Sequence, residues 1–267
     1  MVKLNFDSCK MLVLRFLMSV VIFVGVSFAI RVFATSRVLF SHYGDVLKSA
    51  LCASLVLLLW DFDRKAIKAF ILFSVLYVSA ACIKLPLHMP LNSNEIVDTF
   101  SFAILICAAV LLLLRGLHLI KNLYIKRFGL LLFDIVLVAA LLPPIAWIGY
   151  YLLSGQLLTA TIVLTLFQTN PSEAAAYIKD RGVILWCGGI AFALLFIGVM
   201  VYYINRIRLA EKKSKIIVLC VLAVISIVLG GKVGADIVGH VPTITVFKQT
   251  RSALKEYKEY SKVLEPG

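Results

Sequence analysis

Read from the N-terminus, the chain alternates long unbroken apolar runs with short, mostly basic connectors. Seven runs qualify as candidate spans, at about 11–34, 43–60, 66–84, 98–114, 128–153, 182–204 and 215–236. None alternates apolar and polar residues with period two, which argues against a barrel. A bilayer-crossing helix needs about 20 predominantly apolar residues. In hydrocarbon only helices and closed barrels satisfy their own backbone. The pattern therefore predicts an all-α, polytopic transmembrane helical bundle of about seven spans. The second run is the weakest, because its dense apolar part is only Ala50 to Trp60, with Lys48 near one end; a lysine there can snorkel to the headgroups. In the fifth, Pro143-Pro144 predicts a kink. The last run reaches Gly230-Gly231, where a bend is expected.

The connectors set the expected orientation. Basic residues crowd alternate ones: Lys3, Lys10 and Arg15; Arg64, Lys65 and Lys68; Arg115, Lys121, Lys126 and Arg127; Arg206, Arg208, Lys212, Lys213 and Lys215. The intervening connectors are poorer, with Arg37, Lys84, and the pair Lys179 and Arg181. Positive charge stays inside, so the N-terminus is expected in the cytoplasm and, with an odd number of spans, the C-terminal tail in the periplasm. The first run is too long for a signal peptide's apolar region and lacks a clear cleavage site, so it reads as a retained span. Residues 1–240 then form a transmembrane domain. Residues 241–267, with Lys255, Glu256, Lys258 and Glu259, form a mixed-charge amphipathic helix leaving it.

Composition agrees. Of 267 residues, 62% are hydrophobic, against roughly 45–50% in soluble domains, and the mean hydropathy is +1.00. The net charge of +13 would suggest nucleic acid in a soluble protein. Here the basic residues sit between apolar runs, without aromatic interleaving, and read as topology and lipid-headgroup charges. Cys9, Cys52, Cys82, Cys107, Cys187 and Cys220 are scattered, without a CxxC, and read as small packing residues.

One connector differs from the rest. The loop at about 154–181 contains "TLFQTNPSEAAAYI", residues 165–178. Its start, Leu157 to Phe167, is apolar but too short to span, and suits an interfacial helix. Asn170 is a good N-cap, Pro171 suits the first helical position, and Glu173 follows Asn170 by three, a capping-box spacing. Thr165, Thr169 and Glu173 are four apart and would share one face of a continuous helix, which the proline and cap oppose. Two readings follow. In one, Glu173 only satisfies backbone N–H groups. In the other, Thr165, Thr169, Asn170 and Glu173 bind an ammonium-bearing lipid headgroup, because a carboxylate beside low-dielectric lipid makes a strong charge-assisted hydrogen bond.

The stretch Thr169-Asn170-Pro171-Ser172-Glu173-Ala174 resembles the signature of the bacterial phosphoethanolamine transferases that modify lipid A and lipopolysaccharide, relatives of alkaline phosphatases and sulfatases. The tail "SALKEYKEYSK" is similar to the helix joining their membrane and catalytic domains. The resemblance implies a bacterial inner-membrane protein. In it the positions of Thr169 and Glu173 help bind the headgroup of the donor, phosphatidylethanolamine. An asparagine common four residues before the threonine is Thr165 here, and the family's usual five spans become seven. The resemblance also implies a periplasmic zinc domain with a threonine nucleophile, which would transfer the phosphoethanolamine group onto lipid A or a core sugar. No such nucleophile turn or late Asp-His pair is found before Gly267, so a truncated or split product is expected, with zinc belonging to a catalytic domain outside this sequence. His42, His88, His118 and His240 are isolated and read as headgroup-level or packing residues. A different class, a nonenzymatic lipid or small-solute transporter, rests on the intramembrane acids Asp134 of the fifth run, expected to pair with a nearby Lys or Arg, and Asp236 at the end of the seventh.

Overall fold

A computed structural model describes residues 6–35, 43–84, 87, 93–159, 161–163, 165, 172, 176, 179, 183–207, 226, 227, 230, 231, 234, 241, 244–246, 248–252, 254 and 255. These residues are helical apart from turns and short connectors, with no strand among them. Six long helices are described: α1 Phe6–Thr35, α2 Tyr43–Leu59, α3 Arg64–Cys82, α4 Ser93–Leu119, α5 Leu123–Ser154 and α6 Val183–Asn205. Five of them, α1, α3, α4, α5 and α6, are long and apolar enough to cross a membrane. At 17 residues, α2 is the short one, as its sparse apolar content led us to expect. Most of the expected seventh run, 215–236, lies outside the described residues. Ser226, Ile227, Gly230, Gly231 and Gly234 within it are helical.

The helix ends follow from local chemistry. Asp63 caps α3 by accepting from the Lys65 N–H at 3.0 Å. Asn122 caps α5 by accepting from Tyr124 and Ile125 N–H at 3.0 and 3.4 Å. Each cap satisfies an N–H group that the first helical turn leaves without a partner. Gly155 ends α5 at φ +70, in the left-handed conformation glycine adopts without steric cost, and returns its N–H to the Tyr151 carbonyl at 2.8 Å. The α2–α3 turn is tighter, with Asp61 and Phe62 at φ 49 and 55.

Packing centres on α4, which touches α1, α2, α3 and α5, while α6 lies against α5 and α3. The core seam is built from small residues, Ser49, Ala50, Cys52, Ala53 and Ser54 of α2 against Ala103, Cys107 and Ala108 of α4. Small side chains let helix backbones approach closely, which matters in a bilayer because lipid is as apolar as the neighbouring helix. Aromatic rings fill the core beside it: Phe23 of α1 meets Phe70 of α3 edge-on at 5.7 Å, and Tyr77 of α3 meets Phe102 of α4 likewise at 5.7 Å.

The proline pair in α5 does not end the helix, which runs through Pro143 and Pro144. Pro144 has no N–H, so the carbonyl four residues back, Ala140, loses its helical partner. The Tyr77 hydroxyl of α3 donates to that carbonyl at 2.6 Å. Tyr77 is 1% exposed, so the bond is formed where no water competes, and a neighbouring helix thereby satisfies the freed group.

Candidate functional site

The two ends of the bundle differ in chemistry. At one end lie the α2–α3 turn, the α4–α5 turn and the end of α6. There the Lys65 ammonium donates to the Arg206 carbonyl and the Tyr203 hydroxyl to the Lys65 carbonyl, both at 3.3 Å. Arg115 lies over the Trp60 ring, 6.0 Å from its centroid, and Trp60 meets His118 edge-on at 6.5 Å. At the other end, α3 and α5 finish and α4 begins. A small apolar cluster, Ala80, Ile83, Trp147, Leu158 and Val246, ties these termini to the segment after α5 and to the C-terminal region. Above it, the part-buried Lys84 ammonium donates to Glu95 at 2.6 Å, and Thr99 donates to the Glu95 carbonyl at 2.6 Å. Asp98, Thr99 and Ser101 are buried one turn deeper.

The "TLFQTNPSEAAAYI" loop leaves from this second end. Beyond Gly155, Ser154 accepts from the Gln156 N–H at 3.1 Å. Thr159 caps a new helical segment, accepting from Ile162 N–H at 3.3 Å through its hydroxyl and from Val163 N–H at 3.0 Å through its carbonyl. Residues 161–163 and 165 are helical. Ile162 and Val163 pack on the small cluster while Thr165 is exposed and donates to the Thr161 carbonyl at 2.9 Å. The apolar segment after α5 therefore lies along the end of the bundle with one side covered. Ser172, Ala176 and Lys179 are helical and exposed, at the i, i+4, i+7 spacing of one face.

Of the four headgroup residues expected from sequence, the structure describes Thr165 only. Thr169, Asn170 and Glu173 lie outside the described residues, and their mutual geometry with them. In the C-terminal region, residues 244–246, 248–252, 254 and 255 are helical, with Val246 and Thr250 buried and Lys248, Arg251 and Lys255 exposed. No group of three His, Cys, Asp or Glu side chains among the described residues is placed to hold a metal ion. The zinc implied by the resemblance thus finds no ligand set among them.

Two features went unread in the sequence. Lys84 and Glu95 flank the "LPLHMPLNSNE" connector and meet as an ion pair; the signal was a single base and a single acid bracketing a proline-rich stretch. Asp134 was expected to pair with a Lys or Arg. Its described partner is instead the Asn205 side-chain amide of α6, which donates to it at 2.7 Å. Asn205 closes α6 at the level where Asp134 sits on α5. No family model, no curated protein and no solved structure matches this chain, and the family resemblance rests on the residues from Thr169 to Ala174 and the similar tail.

Proposed function

We propose that this chain is the membrane domain of a phosphoethanolamine transferase-like protein of the bacterial inner membrane, with about seven spans, a cytoplasmic N-terminus and a periplasmic tail. It holds phosphatidylethanolamine by its headgroup at the periplasmic rim and presents it to a zinc-dependent catalytic domain for transfer to lipid A or the lipopolysaccharide core. Glu173 accepts from the ethanolamine ammonium, with Thr169, Asn170 and Thr165 around it. The observation that carries this reading is the hexapeptide Thr169-Asn170-Pro171-Ser172-Glu173-Ala174 in the α5–α6 connector. The packing of Val246 against Trp147 and Leu158 supports it, because the tail and the α5–α6 connector then leave from the same end of the bundle. The zinc chemistry belongs to the catalytic partner domain.

The test is phosphatidylethanolamine binding by the purified chain and its Glu173→Gln variant. Losing a charge-assisted bond is expected to weaken binding about tenfold while the protein remains inserted. Unchanged binding removes Glu173 from the site. Labelling of a cysteine placed at Ser172 from the periplasmic side only is expected as well; labelling from the cytoplasm alone refutes the topology. A second reading, a nonenzymatic transporter, is favoured by the Asp134–Asn205 hydrogen bond between two spans, because intramembrane acids commonly mark ion or solute pathways. Solute uptake abolished by Asp134→Asn, with phosphatidylethanolamine binding absent, would select it.

A further inference from the structure

A groove of about 910 Å³ runs between α4, α5 and the helical residues 226–234. Among the described residues its lining is apolar apart from Ser226 and, at one end, Arg115, the one charged residue described there. From Phe102 to Arg115 the α4 wall spans 14 residues, about 20 Å at the helical rise. That exceeds the roughly 15 Å of one leaflet's hydrocarbon, half of a core of about 30 Å. The groove is open sideways: Leu132 and Val136 of α5 are 46% and 45% exposed, and Ile227 opposite is 61% exposed. Glycines make the space. A Cβ built at Gly116, Gly231 or Gly234 meets nothing within 4 Å, and all three line the groove.

The charged end is chemically incomplete. The Arg115 Nε–H is buried and has no hydrogen-bond partner among the described residues. Trp60, whose ring faces the guanidinium, likewise holds a buried Nε1–H without one. A buried donor left without an acceptor costs about 1–3 kcal/mol. Asp61 exerts an attractive field on Arg115. The surrounding end nevertheless carries Arg64, Lys65, Lys68, Lys121, Lys126, Arg127 and Arg206, so an anion there is favoured.

We propose that this groove is a binding site for one phospholipid of net negative charge, its acyl chain between α4 and α5 and its phosphate oxygens on Arg115. The guanidinium forks to two oxygens of a phosphate, a geometry a lysine or an amide cannot reproduce. The glycine wall supplies the room for the chain. This site is at the opposite end of the bundle from the start of the α5–α6 connector and is independent of the donor-lipid reading.

Native mass spectrometry of the full chain, released from detergent and titrated with phosphatidylglycerol or phosphatidylcholine of identical chains, tests it. The wild type is expected to retain phosphatidylglycerol about tenfold better. Arg115→Gln is expected to erase that preference, and Arg115→Lys to keep part of it. Gly231→Leu, which fills the groove and raises helix propensity, is expected to remove the bound lipid of either kind. Equal retention of the two lipids by the wild type overturns the proposal, as does an undiminished preference in Arg115→Gln. Should Arg115→Gln fail to assemble, lipid retained by Gly231→Leu at the wild-type level overturns it equally.

Discussion

Helices α1 and α4 are matched in apolarity and opposite in placement. Their most apolar stretches have mean hydropathies of 2.4 and 2.5, yet 6% of the α1 stretch is buried against 78% of that of α4. In water such a pair could not coexist, because the exposed member would drive association. In a bilayer the exposed face of α1 meets lipid at no cost, so hydropathy stops reporting on burial. Part of the distinction sits in small side chains. Along its buried face α4 carries Thr99, Ser101, Ala103, Cys107 and Ala108, while α1 presents Met11, Val13, Leu14, Leu17, Met18, Val21 and Ile22 to its surroundings. Small residues mark where α4 and its neighbours come close, with larger ones such as Phe100, Ile104 and Leu111 buried between them.

Paired truncations put a number on that difference. Leu111 on α4 is fully buried and Leu17 on α1 is 54% exposed. Leu111→Ala is expected to cost about 2–5 kcal/mol through lost contacts and a cavity, measured by chemical denaturation in detergent. The same truncation at Leu17 is expected to stay within about 0.5 kcal/mol. Comparable losses at both sites would mean that α1 is covered. Next in size is Tyr77→Phe, which keeps the ring but strands the Ala140 carbonyl; a loss of about 1–3 kcal/mol is expected. No loss in that variant would show that α5 satisfies its own proline break. Glu95→Gln removes the charge from the part-buried ion pair with Lys84, and a loss of about 1 kcal/mol is expected; thermal melting at low and high salt reads it. The smallest change is expected for Val21→Ala, at 68% exposure, within about 0.5 kcal/mol.

Much of the helical frame was legible. Runs expected at 128–153 and 182–204 are helices over Leu123–Ser154 and Val183–Asn205, because an apolar run of that length has few alternatives in hydrocarbon. The extra residues are Leu123 to Arg127 and Ser154 on α5 and Asn205 on α6. The neighbours of each helix were not legible. A period-3.6 stripe reports on burial only when the other face must meet water, and here it need not. The proline pair was half legible. Pro143-Pro144 announces a broken ladder, but the donor that repairs it, Tyr77, lies 63 residues away on another helix. At the candidate site, Thr159 and Gly155 show how the chain turns onto the end of the bundle. Thr169, Asn170 and Glu173 remain a sequence reading, because their chemistry is written in a motif and, of residues 165–178, the structure describes Thr165, Ser172 and Ala176. Arg115 was read as a topology charge, and only its orphan N–H against an apolar groove gives it another part.

The Tyr77 bond to Ala140 has a mechanical meaning. If α5 were to slide or roll against α3 by even part of a turn, a bare carbonyl would face hydrocarbon, so the two helices are pinned in one register. Motion that opens the α5–α6 connector would then have its hinge beyond the pin, toward Gly155, leaving the rods that frame it in place.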